Sequence, residues 1–133
     1  MKTKLKIAVV LLVALLISAC SKDFSSYKKI QEQKAGDYSV TILSSSGDIK
    51  KGSGNFLLEF HKGSSGELVK VNNLNVSAVM LMAGSPMSGE VSPSETGTTG
   101  RYEIKYNFEM IGTYKLDITF DNGLQTQFLL SVN

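Results

Sequence analysis

Beyond the initiator, the chain carries four methionines, at positions 80, 82, 87 and 110, and three of them fall within Met80-Leu81-Met82-Ala83-Gly84-Ser85-Pro86-Met87. A thioether is a soft, neutral donor that binds Cu(I) or Ag(I) without losing a proton and holds hard cations poorly. On a strand, Met80 and Met82 point to one face with Cα atoms roughly 7 Å apart, and Met87, folded back over the Gly-Ser-Pro turn, adds a third sulfur. The same residues also suit a core. Met80 and Met82 share the face of Val76 and Ala78, Met110 ends an inward-facing alternation, and methionine is a common filler of irregular gaps. The two readings differ in one observable, whether the sulfurs of Met80, Met82, Met87 and Met110 converge at an accessible edge or scatter through the core.

Other chemistry has little to work with. His61 is the only histidine and falls on the polar face of its strand beside Glu59, where a solvated imidazole is expected. One histidine and no spare thiol cannot build a closed four-ligand metal site. Serines are plentiful, but no Gly-x-Ser-x-Gly elbow occurs and His61 alone would have to serve every triad. The carboxylates Glu59, Glu67, Glu90, Glu95, Glu103, Glu109, Asp117 and Asp121 read as outward or loop positions on a solvated surface. With no phosphate loop or dinucleotide fingerprint either, no catalytic residue is assigned and the chain is expected not to be an enzyme.

The first twenty residues carry a different kind of chemistry. Lys2, Lys4 and Lys6 precede an unbroken apolar run of eleven residues, Ile7 to Ile17, which is well short of the ~20 needed to span a bilayer. Ile17-Ser18-Ala19-Cys20 then resembles the cleavage box of a bacterial lipoprotein: an aliphatic residue, two small residues and the obligatory cysteine. By that resemblance, residues 1–19 are a cleaved signal peptide and Cys20 is the lipidated (diacylglyceryl, palmitate-labelled) first residue of the mature chain. Its location would be the bacterial cell envelope, held to the membrane by the lipid with the domain outside the cytoplasm. Signal removal takes three of the fourteen Lys and Arg and none of the twelve Asp and Glu, so the positive net charge belongs to the signal. The remainder is near neutral without a basic cluster, which argues against nucleic acid as a partner. Cys20 is the only cysteine, so the domain has no disulfide and its core must hold the fold.

These groups need elements to position them. Residues 20–36, polar and rich in Lys, Gln and Ser, read as a tether behind the lipidated cysteine, and residues 37–133 as one domain. Tyr38, Val40 and Ile42 alternate with polar residues, as do Phe56, Leu58 and Phe60, and both runs end in turn chemistry. Leu68 to Val71 and Asn75 to Met82 follow as candidate strands, and Gly84 to Gly100 reads as a loop. Tyr102, Ile104, Tyr106, Phe108 and Met110 give five apolar matches in nine positions at period two. After Ile111-Gly112, Tyr114 to Phe120 resumes the alternation, and Asp121-Asn122-Gly123 favours a hairpin into Thr126 to Val132. About seven short strands with one wet and one dry face predict an all-β, immunoglobulin-like two-sheet sandwich, with a small closed barrel as the alternative. Tyr102, Ile104, Tyr106, Phe108, Leu116, Ile118 and Phe128 are expected inside.

From Ala35 onward the order Gly36-Asp37-Tyr38-Ser39-Val40, Gly52-x-Gly54-Asn55, the Met80 to Met87 segment, Gly100-Arg101-Tyr102 and Met110-Ile111-Gly112-Thr113-Tyr114 resembles the YtkA-like and FixH-like domains, which also occur within heavy-metal efflux adaptor proteins. Where that family runs Met-Pro-x-Met, this chain has Leu81 between two methionines and Pro86 before Met87 alone. The resemblance implies an immunoglobulin-like sandwich outside the cytoplasm, linked to copper or other soft-metal traffic. The expected function is a lipid-anchored binding module whose methionines hold Cu(I) or Ag(I). The alternative is a structural lipoprotein that binds an envelope protein partner and has no metal site.

Overall fold

The computed structural model describes residues 23–82 and 84–133; the signal peptide expected at 1–19 and the lipidation expected at Cys20 lie outside the described residues. Among the described residues nine strands follow one another without an intervening helix: β1 (Lys28–Ala35), β2 (Tyr38–Ser44), β3 (Gly52–Lys62), β4 (Glu67–Leu68), β5 (Asn75–Met80), β6 (Met87–Glu95), β7 (Arg101–Phe108), β8 (Gly112–Phe120) and β9 (Leu124–Val132). All named pairs are antiparallel, in the order β1-β2-β3-β7-β6-β5-β8-β9, with β4 capping β3. One sheet comprises β1, β2, β3, β7 and most of β6; the other comprises β5, β8 and β9.

β6 belongs to both sheets. Met87, Ser88 and Gly89 pair with β5, and Glu90 to Glu95 pair with β7, so this strand closes one side of the sandwich. On the other side β1 and β9 approach each other, and the Gln31 side-chain amide donates to the Leu129 carbonyl at 2.6 Å. At the bottom, Ile49 bridges Val132 in parallel, with Lys51 N donating to Asn133 O and Asn133 N to Ile49 O. The result is a sandwich with barrel-like closure.

The inward set is the expected one: Tyr102, Ile104, Tyr106, Phe108, Leu116, Ile118 and Phe128 are all buried, together with Val40, Ile42, Phe56, Leu58 and Phe60. Aromatic rings run through the middle, from Phe56 to Tyr106, Phe108 and Tyr114 with centroids 4.4 to 5.9 Å apart. Such contacts add stabilisation beyond area burial.

Two strands correct the sequence reading. About half of the tether expected at 20–36 is β1, paired with β2 from Lys28↔Ser44 to Ala35↔Tyr38 with a register shift around Ile30. Lys28-Lys29-Ile30-Gln31-Glu32-Gln33-Lys34-Ala35 shows no alternation because an edge strand gains its order from the backbone ladder of its neighbour, not from a buried face. The expected loop at Gly84 to Gly100 contains β6, where Pro93 is tolerated because its amide side has no partner strand. Nine strands therefore replace seven. The chain before β1 is also ordered: Asp23 Oδ1 accepts from Ser25 N, Tyr27 N donates to Phe24 O, and the Phe24 and Tyr27 rings meet edge to face.

Candidate functional site

The antiparallel pairing brings the methionine segments to one end of the sandwich. β5 runs toward this end, β6 leaves it, β7 returns, and β8 leaves again, so the β5–β6 and β7–β8 turns are neighbours. Met80 faces Met87 across the β5–β6 pair and Tyr114 across the β5–β8 pair. The Tyr114 hydroxyl donates to the Met110 carbonyl at 3.0 Å, which fixes the β7–β8 turn against β8. Leu81 N donates to Thr113 O at 2.9 Å and ties the other turn to the same strand.

The four methionines separate by burial. Met80 is 7% exposed and belongs to the core, whereas Met82, Met87 and Met110 are 43%, 37% and 40% exposed. Met110 was expected inside; the strand stops at Phe108 and the residue falls in the turn, where the alternation no longer sets its direction. Met80 lies against Gly112, whose φ of 153° favours glycine: a Cβ there would stand 2.6 Å from the Met80 methyl carbon and push the end of this side chain aside. Beside Met87 is a small cavity of about 100 Å³ bordered by Glu90, Asn107, Glu109 and Tyr114. A methionine and two glutamates among its lining residues suit a cation better than an anion.

A second constellation, on the outer face of the larger sheet, was not anticipated. Glu59 and Glu103 were expected to be solvated, yet they are 8% and 5% exposed, and Leu57 between them is 1% exposed on the face turned away from the core. Arg101 stands opposite Glu59 in the ladder and donates from Nε to Glu59 Oε2 at 2.7 Å, with Nη2 also 2.7 Å from that oxygen. Asn55 donates to Glu103 at 2.8 Å and accepts from the Tyr27 hydroxyl at 3.1 Å, so the ordered turn at 23–27 lies along this face. Cross-strand partners screen these carboxylates, and strand alternation alone does not report that. A polar cross-strand pair facing an arginine, Glu59 with Arg101, was the available signal.

His61 is partly shielded as well. Its Nδ1 lies 2.8 Å from the Gly66 carbonyl and so carries the proton, leaving Nε2 3.6 Å from Glu59. Among the described residues no group of three or more His, Cys, Asp or Glu is placed to hold a metal ion. Two tyrosines are held above their ordinary range. Tyr38 is raised chiefly by the bond from its hydroxyl to Asp121 and then by burial, and Tyr106 chiefly by burial.

No match is found among curated proteins. Among solved structures, the Lin-41 filamin domain superposes with a TM-score of 0.48 at 12% identity, covering 65% of this chain and 81% of that one. The YtkA-like family model matches residues 32–119, from the middle of β1 almost to the end of β8 and including both methionine segments. With two thirds of its length so matched, the chain belongs to the YtkA-like family.

Proposed function

We propose that this YtkA-like chain is a lipid-anchored, non-enzymatic module of the bacterial cell envelope whose methionine-bearing end binds a soft monovalent cation, Cu(I) or Ag(I). The observation that carries this reading is the apposition of Met87 with Met80 beside Tyr114, with a small carboxylate-rimmed cavity next to the Met87 thioether. Directly opposed side chains in an antiparallel pair have Cβ atoms about 5 Å apart, which lets two thioethers reach one ion. Met110, tied to Tyr114 through its carbonyl, and Met82 in the adjoining turn supply the remaining sulfurs.

A second reading, a lipoprotein that binds an envelope protein and has no metal, is favoured by one observation: Met80 fills core space beneath Gly112. Titration of the full-length protein in detergent with Ag(I) and Cu(I) against a competing chelator separates the two. Binding that disappears in a Met82→Leu, Met87→Leu, Met110→Leu variant, with no affinity for Zn or Mg, supports the thioether site. Equal Ag(I) uptake by the protein and that variant sinks it.

A further inference from the structure

We propose that the end of the sandwich bearing the β5–β6 and β7–β8 turns rests on the bilayer, with its apolar side chains set into the headgroup layer of the leaflet that holds Cys20. This proposal builds on the lipid-anchor reading above and specifies which surface of the domain meets the membrane.

The first observation is where apolar surface is left uncovered. Among the described residues the exposed large hydrophobic side chains are Leu81, Met82, Met87, Met110, Ile111 and Leu129, and the first five sit on these two turns or, for Met87, at the strand residue that follows one of them. Ile111, at the tip of the β7–β8 turn, is 63% exposed. The opposite end, made by the turns after β1, β3, β6 and β8, contributes none. Single exposed apolar residues are ordinary, but five gathered on adjoining turns form a patch of the kind that meets a partner or a membrane. The turns are also held in place by the Leu81 to Thr113 and Tyr114 to Met110 bonds, so the patch is presented on a fixed frame.

The second observation is where the chain enters. β1 begins at this same end, with Lys28 opposite Ser44, and the turn at 23–27 is bound to Asn55 by the Tyr27 hydroxyl. Only Ser21 and Lys22 separate Cys20 from Asp23. A fully extended chain covers at most about 3.6 Å per residue, so the backbone of Cys20 lies within about 11 Å of that of Asp23. Strands of eight or nine residues are about 30 Å long, which puts the far end of the sandwich out of reach of the leaflet. A short leash and an apolar tip at one end specify the same orientation.

Charge does not drive the contact. Lys28, Lys50 and Lys51 at this end are balanced by Asp48, Glu90 and Glu109, and Lys50 already lies 3.6 Å from Asp48. Insertion is therefore apolar, insensitive to salt and indifferent to the fraction of anionic lipid. The Met87 cavity then opens at the membrane surface.

The test uses the full-length lipoprotein in phosphatidylethanolamine and phosphatidylglycerol vesicles, with a nitroxide on Ile111→Cys or, independently, on Met82→Cys, and a reference label on Ser64→Cys at the opposite end. Labels at 111 and 82 should show a several-fold loss of collision with a water-soluble nickel chelate and a gain with dissolved oxygen, unchanged by salt, while the label at 64 stays open to nickel. If the protein floats with the vesicles and carries labelled palmitate but nickel reaches both ends equally, the anchor stands and the orientation is wrong. If labels 111 and 82 are open on vesicles but shielded in native membranes, a protein partner covers this end and the proposal fails. A chain that neither labels with palmitate nor floats overturns the anchor reading and this proposal with it.

Discussion

Met80 and Met87 are direct partners across the β5–β6 pair, yet Gly112 closes over Met80 while Met87 stands at the open end of the core beside Glu90 and Glu109. The pair joins a packing residue to an accessible one, and the two should respond differently to substitution.

Met87→Leu conserves approximate volume at a half-open position, so stability should change by less than ~1.5 kcal/mol in urea denaturation. Ag(I) affinity should fall. Met80→Ala, by contrast, should cost about 2 to 5 kcal/mol whether or not a metal is present, because it empties core space. If Met87→Leu leaves Ag(I) affinity unchanged, Met87 is not a ligand.

Glu59 depends on Arg101. Removing the guanidinium in Arg101→Met leaves a carboxylate that is 8% exposed with only His61 Nε2, 3.6 Å away, facing it. Because Arg101 itself is about a quarter exposed, the loss should be moderate, about 2 kcal/mol in chemical denaturation. The double variant Glu59→Leu, Arg101→Met should recover most of it, since no buried charge is then left unpaired. A double variant as unstable as the single one would contradict this account.

Ser44, 2% exposed, has a buried hydroxyl with no hydrogen-bond partner. Ser44→Ala should therefore stabilise the domain by about 1 kcal/mol, read as a higher urea midpoint with an unchanged slope. A lower midpoint would show that the hydroxyl finds a partner in solution.

Tyr38 binds Asp121 across 83 positions of sequence, and Asp121 also accepts from Asn72 N, which fastens the β8–β9 turn to the opposite sheet. The bond raises the Tyr38 phenol above its ordinary value, because the Asp121 carboxylate accepts from the hydroxyl and so favours the phenol that keeps its proton. A raised folded-state value means that the contribution is complete below the unfolded tyrosine range, near pH ~10, and is lost as pH rises through the folded value. The stability difference between the protein and Tyr38→Phe should thus be constant from neutral to mildly alkaline pH and shrink above pH ~10. A difference that grows with alkalinity would reverse the assignment.

Period-two alternation in the sequence is enough to place β2, β3, β7, β8 and β9 and to name their inward residues, because a strand with one buried face must repeat its apolar residues at every second position. The order of the Met, Gly and Tyr segments likewise made the family legible. Tertiary structure alone decided β1 and β6, whose polar sequences carry no periodic signal and whose order comes from the backbone ladder of a neighbour. It also decided the burial of Glu59 and Glu103, which rests on cross-strand partners more than forty positions away, Arg101 and Asn55. The candidate site divides in the same way. The sequence carries thioethers at 80, 82, 87 and 110, but their separation into one core and three accessible residues depends on the closeness of Gly112 to Met80 and on where β7 ends. That both methionine turns share an end with the start of β1 follows from antiparallel pairing across the whole sandwich. Such pairing is fixed by contacts between distant segments, which local residue patterns do not encode.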